Sequence, residues 1–192
     1  MNIIIMGAPF SGKGTLCTRI SQERSFYHIN TGQILRDEQA KGTKLGLMAT
    51  RIINVGGYMP DELMIPIVRE CVINSESASG RLFDGFPRTK EQAKQLHAFM
   101  TLRKEPIAAV IFLNMTKNTA MDRMHTRAES EGRADDNEQA MVNRWSEYEQ
   151  KTLPLIEYFA KFGLIHTVDA DGSKESVYEQ ANAIIEELIV AP

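Results

Sequence analysis

The chain has 192 residues, 43% of them apolar and 24% charged, with a formal net charge of −3. That length suits one domain with a sizeable core, and the slight negative balance argues against global attraction to nucleic acid or to an anionic membrane. The two cysteines, Cys17 and Cys71, form no CxxC pair and have no histidine nearby at metal-ligand spacing, which argues against a disulfide framework or a structural zinc. No run approaches the ~20 apolar residues of a membrane span, and no signal peptide pattern opens the chain, so a cytoplasmic protein is expected.

In chain order, the apolar run 3–6 reads as a buried strand and turns at once into Gly7-Ala8-Pro9-Phe10-Ser11-Gly12-Lys13-Gly14-Thr15. A helical pattern over 14–24 follows. Strand, glycine-rich loop, lysine and helix in this order make a phosphate-binding loop. Its backbone N–H groups curl around phosphates, the helix N-terminus adds partial positive charge, Lys13 reaches the outer phosphates, and Thr15 can lie near Mg²⁺. Such a loop establishes nucleotide binding but names no reaction.

Further strands are expected at 27–29, 81–83, 108–113 and 164–168. Helical spacing occupies 32–38, 45–54, 61–74, 90–102, 119–127, 138–162 and 174–189, with Thr31, Asp61 and Ser173 as start signals and Pro154 interrupting the longest pattern. Short, mostly unbroken apolar runs alternating with helices point to an α/β protein with a parallel sheet. Residues 126–136 are polar and charged with almost no apolar side chain, and are expected to be an exposed, mobile loop.

Six arginines, Arg36, Arg88, Arg123, Arg127, Arg133 and Arg144, fall in or beside the expected loops. Arginine's planar fork binds phosphate bidentately and keeps its charge, which suits a reaction that gathers several phosphates and needs positioning and positive charge more than a nucleophile.

Four motifs come in order: Thr31-Gly32-Gln33-Ile34-Leu35-Arg36, Gly56-Gly57-Tyr58-Met59-Pro60-Asp61, Asp84-Gly85-Phe86-Pro87-Arg88-Thr89 with Gln92, and Arg123, Arg127, Arg133, Asp135, Asp136 with Arg144 beyond. Together with the phosphate loop they resemble the adenylate kinases, from residue 1 to about 190. The resemblance implies a P-loop NTPase fold, a five-stranded parallel sheet flanked by helices. It implies one kinase domain over 1–192, holding a helical NMP-binding insert at 30–59 and a short lid at 126–136 without the zinc of longer relatives. The implied reaction is Mg²⁺-dependent transfer between ATP and AMP giving ADP, in a monomer that needs neither nucleic acid nor membrane.

The resemblance also assigns roles. Phe10, Ser11, Gly12, Lys13, Gly14 and Thr15, with Arg123, Arg127 and Gly172, would hold ATP. Thr31, Gly32, Arg36, Gly57, Tyr58, Met59, Gly85, Phe86, Pro87, Arg88 and Gln92 would hold AMP, with Arg133 and Arg144 bridging to the transferring group. Lys13, Arg88, Arg123, Arg133 and Arg144 would stabilise the transferring phosphoryl, and Asp84 would bind Mg²⁺ through water. Thr31 and Gln92 match the positions that read adenine; in the similar UMP/CMP kinases an alanine tends to replace that threonine.

Two residues depart from the family pattern. Phe10 replaces a usual glycine, which costs ~1–2 kcal/mol if the backbone there is left-handed. Gln33 replaces the usual acid and removes a possible outer partner of Mg²⁺. A pyrimidine monophosphate kinase, a catalytically weakened nucleotide-binding module and an NTPase switch remain as alternatives at this stage.

Overall fold

Five strands, β1 (Asn2–Gly7), β2 (Tyr27–Asn30), β3 (Arg81–Asp84), β4 (Ile107–Asn114) and β5 (Ile165–Asp169), pair in the order β2-β3-β1-β4-β5, and every pairing is parallel. The computed structural model describes residues 1–131 and 137–190. β1 is central and buried along its whole length, with Ile3, Ile4 and Ile5 each at most 2% exposed. Its register sets Ile3 beside Leu82 and Ala109, and Ile5 beside Asp84 and Ile111. Burying each isoleucine contributes roughly 2 kcal/mol of transfer free energy, which is why this unbroken apolar run settles between two neighbours and not at an edge.

The helices are α1 (Lys13–Arg24), α2 (Thr31–Ala40), α3 (Lys44–Ile53), α4 (Asp61–Ile73), α5 (Lys90–Leu102), α6 (Lys117–Glu131), α7 (Glu138–Glu147), α8 (Leu155–Ala160) and α9 (Lys174–Val190). Asn30, Thr43, Thr89 and Asn137 cap α2, α3, α5 and α7 by accepting a backbone N–H through their side chains. The cap of α2 is thus Asn30, one residue before the expected Thr31. Thr31 instead turns its hydroxyl into the site.

The 138–162 pattern is broken as expected, but over a wider stretch. A π-helical turn, Tyr148–Thr152, joins α7 to α8, and Leu153 donates its N–H to the Tyr148 carbonyl at 2.8 Å. Pro154 follows at the cap of α8, where its missing N–H breaks no helical ladder.

Residues 126–131 differ from the expected loop, because α6 runs on through Glu131. Lack of apolar residues forbids a core but not a helix, and Arg, Ala and Glu are good helix formers that extend a helix already nucleated upstream. The rest of the expected lid, 132–136 with Arg133, lies outside the described residues.

All five strands run the same way, so their C-terminal ends share one edge of the sheet. That edge carries the phosphate loop after β1, Thr31 after β2 and Asp84 at the end of β3. β1 pairs with β3 on one side and β4 on the other, so the chain order reverses there and leaves a crevice at its carboxyl end, where ligands of open α/β sheets bind.

Candidate active site

The phosphate loop begins where β1 ends and leads directly into α1. Gly12, at the helix N-cap, has φ +88° and no side-chain cap, so the first N–H groups of α1 are left to a ligand. Ser11 is buried, while Thr15 is exposed in the first turn. The Lys13 ammonium folds back into the loop, donating to the carbonyls of Gly7 at 3.0 Å and Ala8 at 2.7 Å and to Ser11 Oγ at 3.3 Å. Burial lowers its pKa to about 8, with Arg88 and Arg127 pushing the same way and Asp84 opposing. The loop therefore faces a concentration of positive charge drawn from three separate parts of the chain.

Phe10 has φ +63°, the left-handed backbone feared for this position. Its half-buried ring lies under two of the arginines, with the Arg127 guanidinium 4.3 Å and that of Arg144 6.0 Å from the ring centroid. A bulky side chain in the loop therefore meets the arginines of α6 and α7 face to face, a cation–π contact of about 0.5–1 kcal/mol.

On the β2–β3 side, Asp84 is buried at the strand end and its carboxylate accepts from His28 Nε2 at 3.1 Å. A Cβ on Gly14 would sit 3.5 Å from Asp84 Oδ2, so the carboxylate reaches the first turn of α1. The Thr31 hydroxyl, also buried, donates to the Asp84 carbonyl at 3.1 Å. Arg88 Nε donates to the Gly85 carbonyl at 2.8 Å, and its guanidinium lies 4.9 Å above the Tyr58 ring. Thr152 in the π turn donates to the Arg88 carbonyl at 3.0 Å and bonds the Tyr58 hydroxyl, so the widened turn fixes both.

Gln92 is 1% exposed and works inside the protein: its Oε1 accepts from the Arg88 N–H at 2.7 Å and its Nε2 donates to Asp61 at 2.7 Å. An amide offers two N–H bonds and two lone pairs, so one of each remains for a base. Gln33 does not face Asp84; its Oε1 accepts twice from Arg36, at 3.2 and 2.8 Å, and its Nε2 donates to Asp37. Gly32 lies against Arg36, while Met59, Phe86 and Pro87 are buried and Gly57 packs on Ile52. At the other end of the crevice, Arg123 donates to the Gly172 carbonyl at 2.8 Å, which joins α6 to the turn before α9.

Two contributors, His28 and Asn143, were not singled out in the sequence, and a third, Asp61, was read there as a helix start within a motif and not as a partner of Gln92. His28 orients Asp84. Asp61 holds Gln92 and the Thr89 hydroxyl. Asn143 on α7 donates to the Val55 carbonyl at 2.8 Å and closes α7 onto the loop after α3. There Gly56, at φ +80°, packs so tightly on the Ala140 carbonyl that a Cβ would overlap it. His28 sits in ordinary strand alternation and Asn143 on a polar helix face, so neither carried a local signal. The structure brings the residues of the phosphate loop together with Asp84, Thr31, Arg88, Arg127 and Arg144; Arg133 lies outside the described residues.

The adenylate kinase family model matches residues 5–164. An adenylate kinase of Phocaeicola vulgatus is 36% identical over 188 residues, covering 98% of this chain and all of the relative. One from Deinococcus radiodurans is 39% identical with 93% of each chain covered, and one from Thermus thermophilus is 37% identical with 95% and 96% covered.

Proposed function

The chain belongs to the adenylate kinase family, and on that premise we propose how its own residues carry reversible phosphoryl transfer from ATP to AMP. The observation that bears most weight is the Lys13 ammonium, enclosed in the loop and pushed toward deprotonation by burial and by Arg88 and Arg127. The ammonium has lost its water on folding, with Asp84 as its main compensating charge, so an entering polyphosphate offsets that desolvation.

ATP phosphates take the loop N–H groups and draw Lys13 from the Gly7 and Ala8 carbonyls. Arg127 leaves the face of Phe10 for the phosphates, while Arg144 and Arg88 approach the transferring group from the AMP side. Arg123, anchored on Gly172, borders the ATP base. The arginines hold acceptor and donor oxygens in line and neutralise charge that spreads onto the equatorial oxygens, so no covalent intermediate on the protein is needed.

The oxygen donors fit a hard cation. Asp84 at the strand end, within reach of the first turn of α1, and Thr15 would hold Mg²⁺, with Asp84 acting through water. Bound there, the ion would supply charge neutralisation between the outer phosphates of ATP. His28 keeps the Asp84 carboxylate oriented toward that position.

Acceptor choice follows from two buried groups. With its proton committed to the Asp84 carbonyl, the Thr31 hydroxyl can only accept, which suits the exocyclic amine of adenine. The remaining donor and lone pair of Gln92 match the adenine edge, and a base of the wrong polarity leaves them unpaired at about 1–3 kcal/mol. The insert at 30–59 and the arm formed by α6 and α7 act as the two covers that exclude water, with the Asn143–Val55 contact at their meeting point. We read the protein as a cytoplasmic monomer.

ADP formation from ATP with AMP, GMP, CMP and UMP in turn, at several Mg²⁺ concentrations, tests this reading. AMP should be the preferred acceptor and the rate should require Mg²⁺. Faster transfer to CMP or UMP would refute the assignment of Thr31 and Gln92.

A further inference from the structure

Cys17 gave no metal signal in the sequence, yet the fold surrounds it with two further donors. Its thiol, His28 and the Asp84 carboxylate each present one ligand atom, and these atoms all lie within 4.8 Å of one another. The three come from α1, β2 and the end of β3, elements held rigid by the parallel pairing of β2 with β3 and by the packing of α1 on the sheet. Cys17 is 0% exposed, Asp84 7%, and His28 is half-buried.

The donor chemistry is specific. A thiolate, an imidazole and a carboxylate suit Zn²⁺ and related thiophilic cations, whereas Mg²⁺ prefers oxygen ligands and retains its water. Tetrahedral Zn²⁺ bonds of about 2.0–2.3 Å place donors roughly 3.3–3.6 Å apart, so side-chain movements of about 1 Å close the site. The His28 Nε2 to Asp84 distance, 3.1 Å, is already there. Three protein ligands leave the fourth position for water or a phosphate oxygen. Of the three donors, His28 also lines a cleft of about 420 Å³ together with Thr18, Asn30, Gln33, Asp37 and Cys71, which makes Cys71 the thiol that a test must set apart from Cys17.

We propose that Cys17, His28 and Asp84 form a binding site for a thiophilic divalent cation of the Zn²⁺ class, and that its occupancy inhibits phosphoryl transfer. Binding releases the thiol proton to solvent and forms metal–sulfur, metal–nitrogen and metal–oxygen bonds. It turns Asp84 away from the Mg²⁺ position, and this consequence rests on the role given to Asp84 above; the site itself does not.

The test titrates the whole, nucleotide-free protein with Cd²⁺ and Co²⁺ and records thiolate-to-metal charge-transfer absorption, with Zn²⁺ competing. One metal per chain is expected. Cys17→Ala should abolish the band, His28→Gln should weaken binding roughly tenfold or more, and Cys71→Ser should leave it intact. Absence of the band, its persistence in Cys17→Ala, or its loss in Cys71→Ser overturns the site. In parallel, Zn²⁺ should slow ADP formation by the unsubstituted enzyme, reversibly on chelation, and not that of Cys17→Ala measured against its own zinc-free rate. A one-per-chain band without inhibition would uphold the site and refute the role of Asp84 in Mg²⁺ binding.

Discussion

Replacing Phe10 separates two opposed effects at the phosphate loop. At φ +63° an L-residue carries a penalty of about 1–2 kcal/mol that glycine escapes. At an ordinary φ, alanine is the more stabilising of the two by about 0.4–1 kcal/mol, because glycine leaves a freer unfolded chain. Both Phe10→Ala and Phe10→Gly lose the stacked Arg127, about 0.5–1 kcal/mol, and the packing of a half-buried ring, about 1 kcal/mol. Alanine should therefore lie about 2 kcal/mol below the parent, and glycine only about 1. For a chain of this size, 1 kcal/mol moves the melting temperature by about 2–4 °C. Thermal unfolding of the nucleotide-free proteins should rank parent, then glycine, then alanine. Alanine at or above glycine would refute a strained loop.

Lys13→Met should nearly abolish transfer, by roughly a hundredfold or more, yet raise the melting temperature of the nucleotide-free protein. Because the folded pKa of Lys13 is lowered to about 8, the cost of keeping its ammonium is fully present below pH 8 and fades as pH rises toward the unfolded value. The stabilisation should thus be larger at pH 7 than at pH 10 in a thermal-shift series, and equal shifts would count against an enclosed cation. Thr31→Ala should shrink the preference for AMP over CMP and UMP about tenfold in kcat/KM, the effect of one lost hydrogen bond. Ser25, the left-handed residue closing α1 at φ +55°, should gain about 1 kcal/mol on replacement by glycine with no change in kinetics, as denaturant unfolding can measure.

Much of the molecule was legible locally. A strand, a glycine-rich turn, a lysine and a helix lie within about twenty residues, and their physics is complete in the sequence: the turn must expose N–H groups and the helix start must face them. Short apolar runs marked the central strands β1 and β4 most clearly, since a strand covered on both faces has no polar face to display, while the edge strands β2 and β5 are only partly buried. The end of α6 was misjudged because the absence of apolar residues was read as absence of helix, while helix extension needs only a started ladder and suitable side chains.

What the sequence could not announce were meetings between distant segments. Gln33 gave no sign that it would hold Arg36 and leave Asp84 to His28, nor Gln92 that Asp61 would engage it. Phe10 read as a crowded phosphate loop, and only the packing of α6 and α7 over it supplied the arginines that its ring supports. Cys17 and His28 stand eleven positions apart with no metal-binding spacing, and Asp84 is far beyond both; the placement of β3 between β2 and β1 is what sets the three donors together. By itself the sequence determined the chemistry of the phosphate loop, because every participant is a chain neighbour. The strand order decided which charges and ligands face that loop, because parallel strands meet only through crossovers that bring remote residues to the same edge.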